Sequence, residues 1–223
     1  METKYIALIC FGILSLFLCL FSAIFTKTEK TKIFITLKGL AGLSYITLAL
    51  VGANLNYKLE AYALFVALAL IIFMFSSTIR AIPTKTDMFH TYYTYVESFA
   101  FAFMTISLFF QFANPLIGLL SGFGASLILL LVYLLTKKKH QTKDKIANII
   151  LFLFSSLYLG ISINYIVAAF SVQSLMYTLS ALSTFVYVIL QNFTHFTTKK
   201  YMITKNIFLG VGLILAALTI FFI

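Results

Sequence analysis

One carboxylate stands where a carboxylate is expensive. Glu97 lies in "HTYYTYVESFAFAFMTISLFF", His90 to Phe110, about two turns into a run that is otherwise apolar. A charge at the middle of a lipid-embedded helix costs on the order of 2.5–3.5 kcal/mol, so the residue needs a partner or a task. An acid held in apolar surroundings can give and retake a proton, and one paired with a base is an internal strut. Glu97 is therefore the candidate catalytic residue. Lys38, Ser77, Arg80, Tyr92, Tyr95 and Asn192 are the candidate substrate-binding groups around it. No Cys/His cluster, glycine-rich phosphate loop or serine-elbow motif occurs, so neither a metal nor a cofactor is expected.

The elements that position these residues follow from composition. The chain has 223 residues, 62% of them hydrophobic and 10% charged, with a mean hydropathy of +1.05, too much apolar surface for one soluble core. Eight apolar runs divide it, at about 5–25, 33–51, 61–80, 91–112, 115–136, 146–168, 172–193 and 202–223. Each is long enough for a bilayer core of about 30 Å. Uniform apolarity argues against the alternating strands of a barrel. The fold class expected is all-α, a polytopic bundle of eight transmembrane helices forming one domain over residues 1–223. The first run is longer than a leader's apolar segment and is read as a span.

Charge gives the orientation. Of 16 basic residues, 13 fall with the first, third, fifth and seventh connections, among them Lys27, Arg80, Lys137 to Lys139 and Lys205. Lys4 and Lys58 fall on the other side, and Lys38 is inside the second run. The positive-inside rule then puts the odd-numbered connections in the cytoplasm and both termini outside, in a plasma membrane read as bacterial. The net charge of +10 is thus mostly topology. The short basic loop "KKKHQTKDK" lacks the folded, aromatic-lined surface of a nucleic-acid site, so the partners expected are membrane lipids.

Other signals read as structure. Cys10 and Cys19 are nine residues apart, on opposite sides of one helix, and cannot pair with each other. The sequon at Asn192 falls at a cytoplasmic helix end. Gly39, Ala41 and Gly42, like Gly118, Gly122 and Gly124, suit close helix packing. Most boundary tyrosines read as an interfacial belt.

Depth selects a partner for Glu97. It lies six residues from the start of run four, and Lys38 five from that of run two, both about 8–9 Å below the interface. An interhelical Lys38–Glu97 ion pair is expected. Ser76, Ser77, Arg80, Gln191, Asn192 and His195 share that leaflet, although Arg80 is near enough to the surface to snorkel. Glu97 is too short to do so, which leaves a structural pair and a ligand or catalytic role both open.

Several stretches resemble the YhhN family: Lys38 in "ITLKGLAGL", "ALALIIFMFSSTIRAIP" from Ala67 to Pro83, "MFHTYYTYVESFAF" at the start of helix four, and "SALSTFVYVILQNFTHF" from Ser180 to Phe196. The resemblance implies an eight-helix fold, lysoplasmalogenase activity and a lysophospholipid or lysoplasmalogen in the cytoplasmic leaflet. Departures accompany it. Ser76-Ser77 stand where the family has Gly-Asp, Val188 where it has a second Asp, and Glu97-Ser98 near where it tends to have His. Vinyl-ether cleavage starts from a protonating acid, and only Glu97 is placed to be one. Two functions are therefore expected: a lysoplasmalogenase-type hydrolase, or a catalytically inactive lipid-binding scaffold or small transporter.

Overall fold

A computed structural model describes residues 2–25, 31–55, 61–81, 87–111, 115–135, 145–192 and 199–221. Its elements are α1 (Glu2–Ile24), α2 (Thr31–Leu55), α3 (Ala61–Ala81), α4 (Asp87–Phe109), α5 (Pro115–Leu135), α6 (Lys145–Ala168), α7 (Val172–Asn192) and α8 (Lys199–Thr219). There is no strand among the described residues. Among the described residues, six stretches are long and apolar enough to cross a membrane: Tyr5–Ile24, Lys32–Asn54, Ala61–Ala81, Ile146–Ala168, Val172–Asn192 and Lys200–Thr219. Several helices outrun their apolar segments. α4 begins at Asp87, a turn before the run at Thr91, because the backbone of a polar end still gains its ladder hydrogen bonds.

Seven helices close a ring in the order α1, α2, α3, α4, α6, α7, α8, and α8 leans inward to touch α2 and α3 as well. α5 lies outside and packs on α6. The exterior is apolar, and the interior sets polar side chains among an apolar core that includes Leu48, Phe73, Phe101 and Leu151. Ile6, Ile13, Phe17, Leu50, Phe99, Leu127, Ile128 and Val167 are exposed, whereas Ser155, Ser156, Ser162, Ser180 and Thr184 are buried. An exterior of this kind is costly in water and suits the hydrocarbon of a bilayer. Many of the buried hydroxyls are satisfied by their own helices: Ser98 donates to Thr94 O at 2.8 Å, Thr105 to Phe101 O at 2.8 Å and Ser162 to Leu159 O at 2.9 Å.

Close approach depends on small residues. A Cβ at Gly42 would run into Met74, one at Gly122 into Ile161 and one at Gly212 into Thr184, fixing α2 on α3, α5 on α6 and α8 on α7. Gly39 and Gly124, expected to serve likewise, face open space. Cys10 is exposed, Cys19 is buried, and both are free. The tight α6–α7 connection is held by a reciprocal cap. Ser174 N donates to Ser171 Oγ at 3.1 Å, and Ser171 N donates to Ser174 Oγ at 2.9 Å.

Candidate functional site

The polar site lies at the end of the bundle where α3 and α7 stop and α2, α4 and α8 start. Ser76 and Arg80 are four apart on α3, hence on one face, and Tyr187 and Gln191 repeat that spacing on α7. The Cα–Cβ bond of a helical residue tilts toward the helix N-terminus. On α3 that tilt carries Arg80 back into the bundle, and on the antiparallel α4 it carries Glu97 toward the same end. The two meet. Arg80 Nη2 lies 2.8 Å from Glu97 Oε1 and donates to Oε2 at 2.9 Å. Glu97 is 1% exposed and the Arg80 side chain 20%, so the pair is largely withdrawn from solvent.

Neighbours complete both groups. Glu97 Oε1 accepts from Ser76 Oγ at 3.0 Å, and Tyr187 Oη donates to both carboxylate oxygens at 3.0 and 3.1 Å. Arg80 Nη1 donates to Gln191 Oε1 at 2.7 Å and also to Tyr187 Oη. The guanidinium stands over the Tyr93 ring, 4.3 Å from its centroid. Every contact of Glu97 is thus to a donor, and the carboxyl enters the cluster as an acceptor.

Beside this cluster opens a cavity of about 150 Å³, lined by Phe34, Lys38, Ser77, Arg80, Ala81, Glu97, Met202, Lys205, Asn206 and Leu209. A narrower pocket of about 20 Å³ continues from it between α1, α2, α3 and α8, sharing Lys38, Ser77, Asn206 and Leu209. That is room for about one water and far too little for an alkyl chain. Three cations and one carboxylate line the larger cavity. Arg80–Glu97 is the ion pair among the described residues, which leaves the Lys38 and Lys205 ammonium groups without a carboxylate.

The predicted partner of Glu97 is corrected by this geometry. Lys38 faces the same cavity but forms no ion pair with Glu97, because α2 packs on α3 and α3 stands between α2 and α4. Its ammonium lies over Phe34, 5.7 Å from the ring centroid. Arg80, expected to be able to snorkel outward, turns inward instead. Among the substrate-binding candidates, the structure brings Lys38, Ser77 and Arg80 to the cavity; the Ser77 hydroxyl donates to Met74 O at 3.0 Å. It does not bring the others. Tyr92 is 59% exposed on the outer face of α4, one residue from the inward Tyr93. Tyr95 is half-buried away from the lining, and Asn192 is buried with its Nδ2 donating to Val188 O at 3.0 Å, within α7 itself. His195 lies outside the described residues.

Lys205 and Tyr187 were absent from the predicted site, and Ser76 and Gln191 were placed at its level without a role. Lys205, counted with a basic connection, lies inside α8 and lines the cavity; its position three residues past Met202 was the available signal. Tyr187 and Gln191 share a face at a spacing of four, as do Ser76 and Arg80, a periodicity that also distinguishes Ser76 from Ser77. Comparison of the chain with protein-family models, with curated proteins and with solved structures gives no match in any of the three.

Proposed function

We propose that this chain is an eight-span membrane protein, with its odd-numbered connections in the cytoplasm and both termini outside, that binds the headgroup of a lysolipid in the cavity beside Glu97. The observation that carries this reading is the cavity's charge: two lysines with no carboxylate partner among the described residues, on a wall shared with Phe34, Met202 and Leu209. Lys38 and Lys205 meet the phosphate, Arg80 stays with Glu97, and the acyl chain lies outside in the bilayer because the inner pocket of about 20 Å³ cannot hold it. The YhhN resemblance supports a lysolipid as occupant.

Binding is supported more strongly than cleavage. An acid catalyst must present its proton to the substrate, and Glu97 spends both oxygens accepting from Arg80, Ser76 and Tyr187. Vinyl-ether turnover by the purified protein is therefore expected to be absent or at trace level, while lysolipid adducts are retained through mild desorption from detergent. Robust turnover lost in Glu97→Gln would restore the hydrolase reading. The orientation is tested with reporter fusions, which should read cytoplasmic after Lys139 and external after Asn114.

A further inference from the structure

Resting on the headgroup reading above, we infer that the cavity selects a dianionic phosphate group, a phosphate monoester, over the zwitterionic phosphodiester headgroups carrying choline or ethanolamine. Arg80 and Glu97 neutralise each other at 2.8 Å, and the remaining ionisable groups on the wall are Lys38 and Lys205, two basic amines. A phosphate monoester carries about −1.5 to −2 at neutral pH and matches them; a phosphodiester brings only one negative charge and adds an ammonium.

That ammonium finds no partner on the described wall. No second carboxylate lines the cavity among the described residues, and Glu97 already accepts from Arg80, Ser76 and Tyr187. The aromatic faces that hold quaternary ammonium groups elsewhere are taken as well. Phe34 faces Lys38 at 5.7 Å, Tyr93 faces Arg80 at 4.3 Å, and Tyr187 faces Arg80 at 5.7 Å and Lys205 at 5.9 Å. Asn206, on the same wall, carries an amide that can donate to a phosphate oxygen. The dianion can arrive on a lipid or as free phosphate, and the chemistry at the wall is the same.

The test is a competition on the full chain in a non-ionic detergent, with adducts read by native mass spectrometry. The probes are oleoyl lysophosphatidate and oleoyl lysophosphatidylcholine at equal concentration, with inorganic phosphate titrated separately by phosphorus NMR line broadening. Lysophosphatidate should win by about tenfold or more, the scale of one charge-assisted hydrogen bond. Lys38→Gln and Lys205→Gln should each erase most of that preference, Lys38→Arg and Lys205→Arg should keep it, and Lys200→Gln, an exposed position on α8, should not alter it. Inorganic phosphate binding with the same lysine dependence and no advantage for lysophosphatidate would uphold the dianion and move its source from lipid to solution. Equal or stronger binding of lysophosphatidylcholine overturns the inference while leaving the lysolipid reading intact if the lysines still matter. Binding of none of the three overturns both. Should a lysine variant fail to fold, the preference of the unaltered protein decides alone.

Discussion

Two buried polar regions occupy this bundle, and they are built differently. Along α6, α7 and α8 the groups are neutral: Tyr158 Oη donates to Ser180 Oγ at 3.2 Å, Ser180 Oγ to Gly212 O at 2.7 Å, Ser183 Oγ to Phe208 O at 2.7 Å, and Gln173 Nε2 to Thr219 O at 3.4 Å. Donors and acceptors are exchanged directly between helices, and neither cavity described above borders them. At the other region the groups are charged, positive groups outnumber negative ones, and a cavity stands beside them. Buried polarity is therefore not in itself a sign of function in such a protein. The neutral set joins helices to one another; the charged set has a basic excess that no described carboxylate neutralises, and that excess is what a ligand can meet.

Perturbation should separate the regions. The largest effect is expected at the ion pair. Glu97→Gln and Arg80→Met should each lower the unfolding free energy by about 3–5 kcal/mol, and the double variant should lose clearly less than the sum of the two. Additive losses in a denaturant titration in mixed micelles would mean that the two groups are not coupled. Smaller effects belong to the neutral network. Ser180→Ala or Tyr158→Phe should cost about 0.5–1.5 kcal/mol and leave lysolipid binding untouched, so a binding loss there would merge the two regions into one site. The smallest stability change, of either sign and within about 1 kcal/mol, is expected for Lys38→Gln and Lys205→Gln, because no carboxylate is stranded when an unpaired ammonium is removed. Those same variants should show the largest binding defect. A melt as depressed as that of Arg80→Met would show that the lysines are structural.

The helices themselves were legible, since an apolar run of about 20 residues has few alternatives to a helix when its backbone must satisfy itself. The end of the bundle that carries the site was legible too, from the company Glu97 keeps with Arg80 and the basic connections. The identity of the partner was not. Counting residues from a boundary gives the height of a Cα but not the lean of its side chain, and Lys38 and Arg80 lean oppositely because their helices run oppositely. Facing was equally hidden for Tyr92 and Tyr93, because in α4 both the outward and the inward positions carry aromatic rings. Packing order was hidden for a related reason: lipid-facing and helix-facing surfaces are both apolar, so no stripe marks which neighbour a helix seeks.

The position of α5 has a consequence for how the chain is threaded. Glu97 is near Tyr187, and Phe101 is near Tyr158, which is bonded to Ser180 on α7. α4 and α6 thus run in the same direction against α7, and adjacent parallel segments require the chain to travel back between them. α5 is that return stroke, carried outside the ring and anchored where Gly122 meets Ile161. Its outward side chains, such as Leu120, Leu127 and Ile128, are accordingly replaceable, while its existence is not negotiable. Exchanging α5 for an unrelated apolar span that keeps a small residue at Gly122 should leave the ring assembled. Deleting it should invert the insertion of everything downstream, stranding Lys199, Lys200 and Lys205 on the side away from Arg80 and splitting the cavity's two lysines between opposite faces of the bilayer.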